Sequence, residues 1–283
     1  MAETLQHNLR AVGNAPEKQT SKLRIEFLTE DDPLYILPFF EEFLRDYGDE
    51  FDILQVSCSP VMGNRSRKKM VKELSALYGV FGFSRLATRV ATARVLGLLP
   101  RSRRAHRFYT MAQLCKAHGV PFRRIGNPNA SEFVEEVQAR APEVIASVAC
   151  PYILKDKLLS LPKLGCVNIH HAPLPRYKGM MPSFWQLFHG ETKVGVTVHY
   201  MVAKIDEGDA LLQSELEVKP GSTLDEVIRA SKQHGAHCMA KVLRQIKANE
   251  QKPVPLDLSK GTYFKFPTLD EINEFRRRGL RGI

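Results

Sequence analysis

Leu23-Arg-Ile-Glu-Phe-Leu28 alternates and then turns apolar like a strand, the residues after Asp32-Pro33 place apolar side chains at helical spacing through Phe43 and Leu44, and Ile53-Leu-Gln-Val56 reads as a second strand. A β-α-β opening of this kind implies a parallel sheet with a right-handed crossover. The alternation continues with a helix over Thr110–His118, a strand over Pro121–Ile125, a helix over Ser131–Arg140 opened by a Ser cap, and an apolar strand over Glu143–Val148. A short helix then leads into the strand Cys166-Val-Asn-Ile-His170. Val194–Met201 and Leu211–Val218 read as a late strand pair joined by a charged, glycine-containing loop. A long helix over Thr223–Ile246, a short segment at Tyr263–Phe266 and a last helix from Thr268 complete the chain. The fold class expected is α/β, a doubly wound, mostly parallel sheet. Residues 22–220 form its main domain, 221–283 a C-terminal helical extension, and 1–21 a polar, aperiodic leader too poor in apolar surface to order itself.

The 283 residues are 43% apolar and 25% charged, close to soluble globular averages, so a packed core is expected. The five cysteines are well separated and never form Cys-x-x-Cys, which argues against a disulfide framework and a zinc site and for a reducing, cytoplasmic setting. No apolar run reaches the roughly 20 residues of a membrane span. The formal charge of +10 points toward an anionic partner. It is concentrated in Arg65–Lys69, in Arg101–Arg104 with Arg107, and in Arg276–Arg278 with Arg281. Lys69–Leu99 reads as two helices broken by glycine, with Arg85, Arg89 and Arg94 recurring beside Leu, Val and Ala. That basic amphipathic pattern suggests peripheral membrane contact through 69–107, against the plainer reading of a helix packed on the sheet with its arginines outward.

Ligands of open parallel sheets bind beyond the carboxyl ends of the strands, and Asn168 and His170 sit at such an end. Their i, i+2 spacing puts both side chains on one strand face. The prolines in Ala172-Pro-Leu-Pro-Arg-Tyr-Lys-Gly179 then stop regular structure. An Asn amide is a permanent donor for an oxyanion, and a His can donate to it or move a proton near neutral pH. The loop Lys204-Ile-Asp-Glu-Gly-Asp209 offers Asp206 as the missing base. Spacing alone does not bring the three together, and Asn-x-His by itself fits a structural histidine equally well.

Val167-Asn-Ile-His-His-Ala-Pro-Leu-Pro-Arg-Tyr-Lys-Gly179 resembles the signature of the folate-dependent formyltransferases. Tyr152-Ile-Leu154, Phe184-Trp185, Gly190-Glu191, Gly195-Val-Thr-Val-His199 and Ile205-Asp-Glu-Gly208 follow that family's order. The resemblance runs from about residue 105 to 220. It implies a Rossmann-like formyltransferase fold and a catalytic Asn-His-Asp set mapping onto Asn168, His170 and Asp206. It also implies 10-formyltetrahydrofolate as formyl donor and no metal. By the same likeness the pterin lies between Val148, Ala149, Cys150, Tyr152, Ile153 and Leu154 on one side and Val202, Ala203 and Ile205 on the other. Thr197 and His199 share one strand face, with His199 a packed residue near the site.

The partners expected are the folate and an amine, anionic overall, with the oligomeric state open. His171 is shared with hydrolytic relatives that release formate from the same folate, which keeps a hydrolase in view. Those relatives resemble one another over an extra N-terminal domain, where this chain has its polar leader. The transfer-RNA branch carries a C-terminal β-barrel, whereas 65 residues follow Val218 here, so RNA is the less favoured acceptor. The purine branch is expected to have a Gly- and Ser-rich phosphate turn after the first strand. Here Thr29-Glu-Asp-Asp-Pro33 stands there, and three carboxylates are poor company for a phosphate. An amino sugar carried on a nucleotide or a lipid is the acceptor expected. A catalytically silent folate- or RNA-binding protein is the reading from another class, and the intact Asn168, His170 and Asp206 argue against it.

Overall fold

The computed structural model describes residues 21–61, 63 and 66–283; the expected leader thus lies outside the described residues but for Ser21, as does Arg65. In chain order the elements are β1 (Arg24–Glu30), α1 (Leu37–Asp46), β2 (Asp52–Ser59), α2 (Arg67–Leu96), α3 (Met111–His118), β3 (Phe122–Arg124), α4 (Ser131–Arg140) and β4 (Val144–Val148). They continue with α5 (Asp156–Leu159), β5 (Cys166–His170), β6 (Lys178–Gly179), α6 (Pro182–Phe188), β7 (Lys193–Tyr200), β8 (Ala210–Glu217), α7 (Leu224–Ala248), β9 (Tyr263–Phe264) and α8 (Leu269–Arg277). The main sheet has the order β3-β2-β1-β4-β5-β7-β8. Its first five strands are parallel, and β7 and β8 are antiparallel. This is the mostly parallel α/β sheet expected from the opening β-α-β unit.

Alternate residues of each strand feed different layers. Ile25 and Phe27 of β1 join Val144, Ala146, Val167 and Ile169 in the larger core under α1, α3 and α7, while Leu28, Ile145 and Cys166 face α4 and α5. Asp32 replaces a helix cap for α1: its Oδ1 accepts the Leu34 and Tyr35 N–H groups, turning the chain into a helix whose Pro38 lies in the first turn. Helix α1 then buries Phe39, Phe40 and Phe43, whose rings pack edge-on and stacked with Phe27 and Phe51 at centroid separations of 5.1–6.0 Å. Each such aromatic pair is worth about 0.5–1.5 kcal/mol beyond its burial. Helix α7 is locked at its start by a reciprocal cap between Thr223 and Glu226 and lays Ala236, Met239, Val242 and Leu243 into the same core. Residues beyond 220 therefore include a principal layer of the main core.

The remaining tail is tied to the segment after β5. Strand β9 pairs in parallel with β6, and Lys178 and Met180 donate to the Thr262 and Phe264 carbonyls. Phe184 and Trp185 of α6 stack on Phe275 and Phe264 at 4.7 and 4.6 Å, and the indole N–H reaches the Lys265 carbonyl at 3.0 Å. Tyr263–Phe266 is thus a two-residue strand followed by a turn, shorter than the segment read from sequence.

Two local expectations are corrected. Ser131 does not cap α4: Ala130 occupies the cap position, no side chain bonds there, and Ser131 is the first helical residue. Asn127 and Asn129 already turn the chain just upstream, Asn127 Oδ1 accepting the Asn129 N–H. The arginines of α2 do not form one outward basic stripe. Arg89 is drawn inward to Asp225 of α7 at 3.0 Å, and Arg94 faces a cleft described below. The two helical rods expected over 69–99 are present as one element interrupted at Gly79, whose φ of 70° and ψ of 171° are accessible almost only to glycine. Arg276 of the third basic cluster donates to the carbonyls of Ala76 and Leu77, just before the kink.

Candidate active site

Strand β5 carries Asn168 and His170 on the face turned toward α4 and α5, since Val167 and Ile169 point into the opposite core. The pairing Asn168↔His199 with β7 sets a second histidine beside the amide. The loop after β7 then returns Asp206 to the same spot, with His170 Nδ1 3.6 Å from Asp206 Oδ2 and His199 Nε2 3.7 Å from Asp206 Oδ1. The three residues read as a catalytic set converge, and all three flank the carboxyl end of a parallel strand.

The hydrogen bonds define proton positions. His199 Nδ1 lies 2.8 Å from the Tyr200 carbonyl, which can only accept, so Nδ1 carries the proton. Burial holds the His199 imidazole below its ordinary value, with Asp206 pulling the other way, so the ring is neutral and its Nε2 is an acceptor. Asn168 Nδ2 donates to that Nε2 at 3.1 Å, which fixes the amide orientation and leaves its second N–H for a ligand. His170 Nε2 donates to the Tyr177 carbonyl at 2.8 Å, leaving Nδ1 toward Asp206. His170 must therefore release Tyr177 before its Nε2–H can meet a substrate oxygen. Catalytic hydrogen bonds commonly assume their working geometry only with substrate in place.

Asp206 is held by the backbone as much as by its neighbours. It sits at φ 54° and accepts the Gly179 N–H at 3.1 Å. Asp tolerates this left-handed conformation better than most residues, and such strain collects where surrounding structure over-determines a side chain. Gly208, two residues on, is not at a positive φ. Gly208 instead supplies space, because a Cβ there would lie 1.9 Å from the Tyr200 carbonyl oxygen.

The nine residues expected around a pterin fall in two segments, a first wall at the end of β4 and a second after β7, and of the nine only Ala149 lines the cleft described below. Val148 and Leu154 are buried in the first, with Ala149 at φ 55° and Cys150 and Tyr152 half-buried. Ile153 there, and Val202 and Ile205 in the second wall, are large apolar side chains left exposed, and Ala203 between them is exposed too. Cys150 and Met201 pack on one small core, so both segments rise from the same support. Exposed apolar groups on two sides of a polar strand end can enclose a flat ring system.

His171, one residue beyond the set, turns the other way. Its Nδ1 meets Ser231 of α7 at 2.9 Å, its Nε2 is buried without a hydrogen-bond partner, and burial drives its imidazole well below the ordinary value. It lines a cleft of about 1180 Å³ that opens at the ends of β1, β2 and β3 beneath α2. Asn168, His170 and Asp206 are not among the lining residues; the cleft borders them through His171 and Ala149. Glu30, Asp31 and Asp32 stand at its β1 end with Lys232 of α7, whose ammonium burial lowers to about 8 against the pull of Glu30 and Asp32. Among the described residues one His/carboxylate group, Glu42, Asp46 and His237, could converge on a cation, and it contains no member of the set.

The formyl transferase family matches residues 99–243, which is 145 of the 283. The chain belongs to the formyl transferase family. A methionyl-tRNA formyltransferase from Synechococcus sp. (strain JA-3-3Ab) is 36% identical over 151 residues, 53% of this chain and 47% of that relative. The chain thus spans about half the length of the curated relatives it matches. Solved structures that share the fold include two sugar N-formyltransferases. A sugar N-formyltransferase from Shewanella sp FDAARGOS_354 has a TM-score of 0.53 at 16% identity, covering 90% of this chain and 87% of that one. WlaRD, a sugar 3N-formyl transferase solved in the presence of dTDP and 5-N-formyl-THF, has a TM-score of 0.52 at 15% identity, covering 90% and 79%. This formyl transferase carries the expected fold, and none of its described helices is long and apolar enough to cross a membrane.

The reading of His199 as a packed, hydrogen-bonded residue near the site holds, and the structure adds that it is the acceptor that orients Asn168. Its signal was the period of β7, but only the strand register reveals which residue it faces.

Proposed function

We propose that this chain moves the formyl group of 10-formyltetrahydrofolate to the amine of an amino sugar carried on a nucleotide or a lipid. The observation that carries the reading is the convergence of Asn168, His170 and Asp206, with His170 Nδ1 3.6 Å from Asp206 Oδ2 at a strand end. The amine lone pair attacks the formyl carbon, and the carbonyl oxygen takes the negative charge. The free Asn168 N–H and, once released from Tyr177, the His170 Nε2–H steady that oxyanion. Asp206, through His170 or a water, accepts the proton lost by the amine. The bond from carbon to the folate nitrogen then breaks, that nitrogen takes a proton, and tetrahydrofolate leaves. The apolar walls at Ile153, Val202 and Ile205 support a pterin site, and solved sugar N-formyltransferases cover nine-tenths of the chain with the same fold. A cytoplasmic location suits a folate donor.

The acidic run Glu30-Asp31-Asp32 in the cleft supports an acceptor that presents an amine there and not a phosphate. Transfer-RNA formylation has in its favour the printed names of the relatives matched over half their length. For hydrolysis, the sequence signal was His171, yet His171 is committed to Ser231 and faces away from Asp206. The test is tetrahydrofolate release from 10-formyltetrahydrofolate with nucleotide-linked amino sugars, alkyl glycosides of amino sugars, aminoacylated transfer RNA, or no acceptor. Release dependent on an amino sugar is the expected outcome. Release of free formate without any amine would overturn the transferase reading.

A further inference from the structure

An amphipathic helix normally presses its apolar stripe onto another element, and α2 does so only in part. Met70, Val71, Leu74 and Tyr78 before the kink line the cleft at spacings of three and four residues. Beyond Gly79 the same spacing brings Phe83, Leu86, Ala87, Val90 and Ala91 to the cleft wall. Two helical stripes in succession thus face open space, and Val61 and Val71 remain exposed within it. The volume of about 1180 Å³ exceeds the roughly 300–1,000 Å³ that encloses a drug-sized ligand. A single amino sugar at the β5 end would leave most of the apolar wall wet.

We propose that this cleft binds the hydrocarbon chain of a lipid-linked amine and presents the amine at the carboxyl end of β5, an inference that rests on the formyl-transfer reading above. The polar groups are distributed as such an amphiphile requires. Where the cleft reaches the end of β5, the buried Nε2 of His171 has no hydrogen-bond partner and can accept an amine N–H, while the carboxyl groups of Glu30 and Asp32 line the neighbouring β1 end beside Lys232. Arg67 and Arg94 of α2 also line the cleft and suit a phosphate between headgroup and chain. The outer side of the same helix fits a membrane surface as the source. Phe81 of α2 is 92% exposed, with Val80, Arg85 and Val95 of the helix exposed too, and Leu98, 84% exposed, follows with exposed Leu99 and Arg104 just past its end. Apolar side chains left in water beside basic ones favour an anionic bilayer surface, from which a lipid could enter the cleft without leaving an apolar environment.

The probes are octyl and methyl glycosides of glucosamine, titrated calorimetrically below the micellar concentration of the octyl compound. Each buried methylene is expected to tighten binding by about two- to fourfold, so the octyl glycoside should bind at least a hundredfold more tightly than the methyl one. Ala87 and Ala91 are exposed within the cleft, so the double variant Ala87→Glu, Ala91→Glu is compatible with the fold. It should abolish most of the octyl advantage while methyl-glycoside and 10-formyltetrahydrofolate binding stay unchanged. Equal affinity for the two glycosides, or an octyl advantage indifferent to the two glutamates, would overturn the proposal. Tetrahydrofolate release is read separately across the amine panel. Amine-dependent release with chain-independent binding rejects the lipid site alone; a chain-dependent affinity with no release from any amine supports the chain site and rejects the transfer reading beneath it.

Discussion

Replacement of Asp206 by Asn removes one negative charge while preserving shape and an oxygen that can still accept the Gly179 N–H. The charge lies 3.6 Å from His170 Nδ1 and 3.7 Å from His199 Nε2, with the Asp206 side chain 9% exposed. At an effective dielectric near 20, this carboxylate and a His170 that has taken up the amine proton, 3.6 Å away, would attract by about 4–5 kcal/mol, an interaction made only during turnover. Loss of a positioned general base independently costs about 10²–10⁴ in rate, or roughly 3–5 kcal/mol of barrier. The two effects describe one interaction and are not summed. The turnover number is therefore expected to fall by about 10²–10⁴, with 10-formyltetrahydrofolate affinity and thermal stability nearly unchanged. The assay is single-turnover tetrahydrofolate release with the amine that supports it, paired with equilibrium folate binding. An unchanged rate constant would refute the role given to Asp206; a collapse of folate binding would mean that the carboxylate serves the pocket and not the chemistry.

Four further outcomes are expected. Gly208→Ala places a Cβ 1.9 Å from the Tyr200 carbonyl oxygen, so the Asp206 loop must shift; activity should drop sharply, with a stability loss of about 1–3 kcal/mol in urea titrations. His199→Leu deprives Asn168 of its acceptor and should lower turnover by about three- to tenfold, the worth of a neutral hydrogen bond near 1 kcal/mol, while His199→Gln should restore part of the rate. His171 and His199 are held neutral by burial, below the ordinary value of 6.5. The stability they contribute is present above pH 6.5 and is lost as the pH falls further, because the unfolded chain then binds protons the folded chain refuses; unfolding free energies across that range test the sign. Arg140→Met leaves the fully buried Glu26 carboxylate without its paired guanidinium, 2.8 and 3.0 Å away, and should cost about 3–5 kcal/mol at neutral pH. Burial already raises the Glu26 carboxyl, so its stabilising influence is full below the ordinary value and lost as pH rises; the penalty in Arg140→Met should shrink toward acid pH.

The periodicities were legible because they depend on near neighbours. Strand β5 has the bounds read from its apolar run, and the two-residue period that placed Asn168 and His170 on one face holds in the sheet. The caps at Thr223 and Thr268, each answered by a Glu three residues later, are local exchanges of hydrogen bonds that any such sequence offers. Where two local signals competed, the reading slipped: Ser131 has the composition of a cap, but the upstream asparagine turn sets the chain direction first.

The amino-acid sequence by itself determined the α/β class and the order of the strands in the chain, because patterns of two and of three to four residues report which face of an element avoids water. Only the tertiary structure decided what each face meets. Asn168 and His199 are 31 residues apart and touch through strand register. Asp206 reaches His170 because Gly208 lets its loop pass against Tyr200. The tail from Tyr263 clamps the segment after β5, and α2, which in sequence reads either as a membrane-surface helix or as one packed on the sheet, lines a cleft among the described residues. Sequence spacing states that a face is apolar; what covers that face depends on distant segments, and their arrangement is settled only when the whole chain has packed.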